Sequence, residues 1–349
     1  MNAPMPPRPR PRLFLAVIGA AVSLLFGYLA VRNVQWSAFW EGLRTCNYWW
    51  LVPSLAVLVL TVFVKAVRWQ FLFGRATRPP LLPVTASLLI GHFFNSVLPA
   101  RAGEAARVVA LRMQARTSAV EAAGTIVSER ILDVLALLGL LFVASPFLPD
   151  LSWIAAAVAL AGLTLACSVL LVVLLGLFGN RPFRAVARFF ARLPGIPLEP
   201  LEQAADNLVE GLAVFRQPRI AAAAVPLTLA AWLSLALSFW LVMIGFGLEV
   251  GFGAALLVVI ATNLVLILPS SPAAVGVFEA ATLVALKAYG VDDSSALSYA
   301  IVVHAANVLP FVLLGYVALH WHVRSLRLAR QVSTTSPAVS GPIPTPPHG

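Results

Sequence analysis

Charge is scarce in this sequence: Asp, Glu, Lys and Arg make up 11% of 349 residues, against 60% for the hydrophobic set, and the mean hydropathy is +0.91. A water-soluble domain carries about a quarter of its residues as charges, so the solvent for most of this surface is lipid. Cysteine is nearly absent. Cys46 and Cys167 fit no metal or redox spacing, and Cys167 sits inside an apolar run, so no disulfide framework is implied. No G-x-x-x-x-G-K-[ST] loop occurs, which argues against ATP hydrolysis. An Asp-rich metal motif, a nucleophile elbow and a metal-ligand cluster are also missing, so no metal or cofactor is expected and an enzyme is not the first reading. Strand-length alternating segments are missing too, which leaves an all-α protein rather than a barrel.

What is there is a set of long apolar runs. Leu13–Val31, Trp49–Val64, Ile131–Phe147, Ile154–Phe178, Ile220–Phe246 and Ile301–His320 approach or exceed the roughly 20 residues that cross a hydrocarbon core, so the chain reads as a polytopic membrane protein with about six full transmembrane helices. The first run follows Arg8, Arg10 and Arg12 and is longer than the about 7–15 residues of a signal-peptide core. It is read as a retained helix, with residues 1–12 a basic cytoplasmic N-terminus.

The net charge of +10 suggests nucleic acid only in a soluble protein; here the basic residues fall between apolar spans, where the positive-inside rule accounts for them. Placing Lys65, Arg68, Arg75 and Arg78 after the second span, the arginines of 101–116 before the third, and Arg324, Arg327 and Arg330 after the last puts both termini in the cytoplasm. In the loop 181–219, Arg181, Arg184, Arg188 and Arg192 oppose Phe183, Val186, Phe189 and Phe190, a basic amphipathic helix suited to anionic headgroups. A second stretch, with Leu201, Leu208, Leu212 and Phe215 against Glu202, Asp206 and Glu210, reads as a solvated helix. The segment 326–349, rich in Ser, Thr, Pro and Gly past Gln331, is expected to be disordered.

Two segments begin and end on one side of the membrane. Residues 81–116 hold an apolar half, a break at Leu98-Pro99 and a charged half; residues 252–289 hold an apolar half, a break at Pro269-Ser270-Ser271-Pro272 and a second half. Full crossings would carry Arg101, Glu104, Arg107 and Arg112 through lipid at about 2.5–3.5 kcal/mol each, so both are read as re-entrant broken-helix hairpins. Their surroundings repeat: a full span, a half-helix ending Leu-Pro, a half-helix with Gly and Glu (Gly103-Glu104, Gly276 and Glu279), then a polar-spotted span. The separation from each glutamate to a polar residue of the next span is 25 residues, Glu104 to Glu129 and Glu279 to His304. With the charge-based topology this predicts an inverted repeat, 48–148 against 220–321, the plan of many secondary transporters.

Arg101, Glu104 and Arg107 share one helical face near a half-helix start. Ser271 before Pro272 reads as an N-cap opening a second buried helix. Glu129, Arg130 and Asp133 form a third charged group, which either lines a site or pairs internally, and His304 and Asn307 share a face of the last span.

The string Gly91-His92-Phe93-Phe94-Asn95-Ser96-Val97-Leu98-Pro99-Ala100-Arg101-Ala102-Gly103-Glu104-Ala105-Ala106-Arg107, the run Gly124-Thr125 through Ser128-Glu129-Arg130 to Asp133, and Pro269 through Glu279 resemble, in order, the signatures of the flippase-like transmembrane region of lysylphosphatidylglycerol synthases. The resemblance covers roughly residues 13–325. It implies a bacterial inner-membrane protein that moves lipids between leaflets, with Arg101, Glu104, Arg107, Glu129, Arg130 and Glu279 at the family's Arg and Glu positions, and Asn95, Pro99, Gly103, Asp133, Ser271, Gly276 and His304 in support. Lysyl-lipid synthesis needs a large soluble aminoacyltransferase domain after the membrane region, and this chain ends within about 30 residues of its last span, so synthase activity is not expected. Stand-alone relatives are linked to hopanoid and other isoprenoid lipids, which makes phospholipids or isoprenoid lipids the expected partners.

The function expected from these residues is a lipid flippase or transporter for an anionic or amino-acylated phospholipid or isoprenoid-type lipid. Arg101, Arg107 and Arg130 would hold phosphate, and Glu104, Glu129 and Glu279 would balance them or engage a cationic headgroup. The alternatives are an intramembrane lipid-modifying enzyme using Glu104, Glu129 and His304 as acid and base, and a scaffold for a cell-envelope lipid synthase. No nucleic acid is expected, and the oligomeric state is not legible.

Overall fold

The computed structural model describes residues 11–74, 77–98, 102–115, 117–178, 185, 188, 198–199, 218–265 and 271–335. Among these, every regular element is helical, as lipid requires of backbone that must satisfy its own hydrogen bonds. The expected amphipathic stretches at 181–192 and 201–215, and residues 336–349, lie almost wholly outside the described residues.

The order is α1 (Pro11–Val31), α2 (Trp36–Thr45), α3 (Leu51–Leu72), α4 (Leu81–Val97), α5 (Ala102–Ala115), α6 (Ala119–Ala144), α7 (Ser152–Phe178), α8 (Pro218–Gly245), α9 (Phe252–Val265), α10 (Val277–Lys287) and α11 (Asp293–Thr335). Among the described residues, four helical stretches are long and apolar enough to cross a membrane: Tyr48–Leu72, Ser152–Leu170, Arg219–Gly245 and Asp293–Trp321. The pair α1–α2, bent by 87°, brings the number to five if it counts as one span. The remaining expected span, Ile131–Phe147, overlaps α6, which has the length, 26 residues, but carries Glu129, Arg130 and Asp133 inside it.

Three differences from the sequence reading have physical causes. Helix α3 continues to Leu72 rather than ending at Val64, because Lys65 and Arg68 face the protein interior and not the cytoplasm. Helix α2 was not anticipated; its Trp36 and Trp40 are exposed, as suits a short helix at the membrane interface, while Ser298 donates to its Phe39 carbonyl at 2.9 Å. Helix α11 runs past the expected end of the folded region to Thr335. At its start the Asp292 carboxylate accepts from the Ser294 and Ser295 N–H groups, both at 3.0 Å. Partial burial raises the Asp292 pKa, but those bonds outweigh it and hold the carboxyl below its usual range.

The centre of the fold is the extensive contact between α3 and α8, which run antiparallel: the Asn47 N–H meets the Gly245 carbonyl (2.8 Å), Ser54 Oγ meets Ser238 Oγ (2.8 Å), and Arg68 donates to Thr228 Oγ1 (3.2 Å). Helices α4 and α9, of 17 and 14 residues, are about 25 and 21 Å long at 1.5 Å per residue, short of a hydrocarbon core of about 30 Å. Each folds back on the helix that follows it, α4 on α5 and α9 on α10, so both expected hairpins are present. Across the centre, α4 packs on α11 and α9 on α6, and the 3-10 turn Pro272–Ala274 at the tip of the second hairpin reaches α4.

Candidate functional site

The first hairpin closes because two glycines leave no Cβ where its helices meet. A Cβ on Gly103 would overlap the Gly91 carbonyl oxygen and the Asn95 side chain; one on Gly91 would overlap the stem of Arg107. Asn95 Oδ1 accepts the Gly103 N–H at 2.8 Å, satisfying one of the donors that a helix start leaves open. This fixes the first turn of α5, so Glu104 and Arg107 reach the interior from the same helix face, as their spacing predicted. Pro99 and Arg101 lie outside the described residues.

Arg107 meets Glu129 with two parallel bonds, Nη1 to Oε1 at 3.2 Å and Nη2 to Oε2 at 2.9 Å, and its guanidinium lies 4.0 Å over the Trp69 ring. Glu129 also pairs with Arg68 at 3.2 Å. Arg68 is fully buried and bonds Asp133, which in turn accepts from Trp232 Nε1 at 3.2 Å. Arg130 turns the other way: its Nε is 2.9 Å from Glu104 and its Nη1 3.8 Å from Asp133. A buried guanidinium with no carboxylate would be strongly destabilising; the buried Arg68 and Arg107 each have at least one, as does the half-exposed Arg130. Of the two roles expected around Arg107, the geometry displays the balancing one: its fork is occupied by Glu129.

Lys65 differs. Among the described residues no carboxylate lies within ion-pair distance of it; its ammonium sits 5.0 Å over the Trp232 ring. Lys65, Arg68, Arg107 and Arg130 thus face only the three carboxylates Glu104, Glu129 and Asp133.

The second hairpin is built from different parts. Ser271 does not cap a helix; it precedes the single 3-10 turn Pro272–Ala274, and α10 begins only at Val277 behind Gly276. Ala273 and Ala274 have φ of 55° and 58° and Gly276 has 84°, so the chain reverses in left-handed conformations before the helix starts. A Cβ on Gly276 would overlap the Ser23 carbonyl on α1. Glu279 accepts the Gly276 N–H at 2.6 Å through Oε2. Its Oε1 lies 2.6 Å from His304 Nδ1, and His304 Nε2 lies 2.9 Å from the Ala273 carbonyl. The Ser271 N–H bonds Ser23 Oγ at 2.9 Å.

Both hairpins open on one cavity of about 500 Å³. Gly91, His92, Asn95, Glu104 and Arg107 line it from the first; Ser271, Ala273, Ala274 and Phe278 from the second; Lys65, Arg130, Asp133, Trp232, His304 and Asn307 complete the polar wall from the full spans. Glu129 lies behind Arg107, and Glu279 behind His304. Of the expected residues, the structure unites Asn95, Gly103, Glu104, Arg107, Glu129, Arg130 and Asp133 on one side, and Ser271, Gly276, Glu279 and His304 on the other. Sequence reasoning missed Lys65, Arg68, Trp69 and Trp232. The available signal was Thr61, Lys65 and Arg68 at i, i+4 and i+7, a polar stripe on one face of an apolar helix. Among the described residues, no group of His, Cys, Asp and Glu side chains is arranged to hold a metal ion.

Broken helices that meet at a polar cavity inside an apolar helical bundle define a multi-pass membrane protein with a buried polar site. Residues 16–315 match the lysylphosphatidylglycerol synthase TM region, and the chain belongs to that family. It is also similar to the "UPF0104 membrane protein" of Methanothermobacter thermautotrophicus, with 26% identity over 263 residues, 72% of this chain and 78% of that protein.

Proposed function

We propose that the protein moves a lipid with an anionic headgroup between leaflets, the headgroup passing through the cavity between the two hairpins while the tails remain in the bilayer. The observation that carries this reading is the cavity itself, whose wall is pooled from both broken helices and holds Lys65 without a described counter-ion. An ionic headgroup crossing unescorted faces an idealised desolvation cost of order 20 kcal/mol; a polar, charged pocket at the breaks of half-helices lowers that cost without an aqueous pore. Phospholipids and polyprenyl phosphates both present the required phosphate, whereas an isoprenoid lipid without one does not.

In this reading α3–α6 and α8–α11 are the two units of an inverted repeat. The antiparallel contact of their first spans, the reciprocal packing of α4 on α11 and α9 on α6, and the two hairpins support it. In the same reading the chain has six full spans, α6 crossing as the charged one; an even number keeps both termini on one face, and the positive-inside rule makes that face the cytoplasmic one of an inner membrane. The chain acts as a transporter and not as an enzyme; every cavity arginine described is engaged by a carboxylate, and Glu129 is held by two guanidiniums, which leaves it no free base.

The test is leaflet exchange of a labelled anionic phospholipid in proteoliposomes, with analysis of the recovered lipid. Exchange above protein-free vesicles with unaltered lipid is expected. A chemically modified lipid would replace this reading with the lipid-modifying enzyme, and absence of both would favour the scaffold for a lipid synthase.

A further inference from the structure

The two hairpins are fastened differently. Glu104 of the first contacts Arg130, 2.9 Å away, and a guanidinium keeps its proton under all ordinary conditions. Glu279 of the second contacts His304, 2.6 Å away, an imidazole that can gain or give up a proton at either ring nitrogen.

The proton count of the second contact follows from its geometry. His304 Nε2 faces the Ala273 carbonyl at 2.9 Å; a carbonyl only accepts, so Nε2 carries a hydrogen. Between Nδ1 and Glu279 Oε1, 2.6 Å apart, there is room for one proton, held either as carboxylic acid donating to the ring or as imidazolium donating to carboxylate. Both forms contain the same number of protons. If that proton leaves to water in the cavity, the ring keeps a single N–H, so one of its nitrogens turns a lone pair toward an oxygen, either Glu279 Oε1 or the Ala273 carbonyl, and that contact changes from attraction to repulsion.

What the contact fastens is the left-handed tip. Glu279 holds the Gly276 N–H, His304 holds the Ala273 carbonyl, and between them Ala273 and Ala274 keep the positive φ that L-residues disfavour. The tip packs on α4 and, through Ser271 and Ser23, on α1. The charged and titratable groups that share its cavity are Lys65 of α3, His92 of α4, Glu104 and Arg107 of α5, and Arg130 and Asp133 of α6; the neighbouring part of α1 presents Ser23, and α11 adds the neutral Asn307.

We propose that Glu279 and His304 form a binding site for one exchangeable proton, and that this proton latches the tip of the second hairpin against the cavity. Release of the proton frees Ala273 to Gly276 from the strained turn, while the first hairpin stays fastened by Glu104 and Arg130. Resting on the translocation reading, this makes lipid movement proton-linked, with one mobile and one fixed hairpin.

The test uses the full chain in proteoliposomes with Cys46→Ser and Cys167→Ser, a single reporter Ser271→Cys, and a water-soluble maleimide. Labelling is followed from about pH 6 to about pH 9, bracketing ordinary histidine titration, with Glu279 present and with Glu279→Gln. The Gln amide donates to Nδ1 and its oxygen accepts the Gly276 N–H, which reproduces the latched state without a proton to lose. Dividing one profile by the other removes the pH dependence of the thiol. The expected ratio is near one at the acid end and rises roughly tenfold toward the alkaline end. A ratio flat across the range overturns the proposal. If Glu279→Gln does not fold, His304→Gln, whose amide donates to the Glu279 carboxylate without a titrating ring, serves as the reference with the same two outcomes. Leaflet exchange measured on the same vesicles tests the translocation reading separately, since labelling does not depend on it.

Discussion

Arg107 and Glu129 are joined by two parallel hydrogen bonds of 3.2 and 2.9 Å, so the carboxylate occupies the fork of a guanidinium that the sequence offered as a phosphate ligand. Glu129 serves Arg68 as well, so its removal leaves Arg107 without a carboxylate and Arg68 with Asp133 alone. Glu129→Ala is therefore expected to destabilise the folded protein by roughly 3–5 kcal/mol. Arg107→Met leaves Glu129 paired with Arg68 and should cost less. Thermal unfolding in detergent measures both; equal losses would contradict the shared role of Glu129.

Close helix contact at the first hairpin rests on glycine. Gly103→Ala forces a methyl into the Gly91 carbonyl and is expected to lower the yield of folded protein sharply. Gly139→Ala on α6, where nothing lies within 4 Å of the added carbon, should leave yield and unfolding temperature unchanged, or raise them slightly through helix propensity. Size-exclusion profiles of the two variants make the comparison.

Replacing Asp292 by Ala removes the carboxylate oxygen that accepts two N–H groups at the start of α11. A stability loss of about 1 kcal/mol is expected, with no effect on transport, because Asp292 does not line the cavity. The effect has a pH sign: the native carboxyl is held below its usual range, so its contribution is present at neutral pH and fades as pH falls through the carboxylate range. Unfolding temperatures of wild type and variant should converge in acid.

Much of this architecture was legible. The apolar runs located the main helices, and the prolines and charges of 81–116 and 252–289 located both hairpins. The common spacing of 25 residues paired Glu279 with His304 correctly, while Glu104 reaches one residue further, to Arg130. The error at α3 has a simple source: a lysine in an apolar run looks like a helix end, and only the packing of α6 and α8 around it shows a half-buried, cavity-facing charge over Trp232. The tip of the second hairpin was misread for a related reason. Ser271-Pro272 carries the composition of a helix start, yet the left-handed turn at Ala273 and Ala274 postpones the helix to Val277, and nothing in an alanine pair announces positive φ.

Lys65 carries the central claim, because it is the cavity cation without a described carboxylate. The decisive measurement is exchange of labelled phosphatidylglycerol across proteoliposome leaflets by wild type, Lys65→Met and Lys65→Arg at matched folded protein. The account predicts that Lys65→Met loses exchange by about tenfold or more, the scale of one lost charge-assisted bond, with its unfolding temperature kept and with Lys65→Arg active. Undiminished exchange by Lys65→Met would contradict a headgroup path through this cavity.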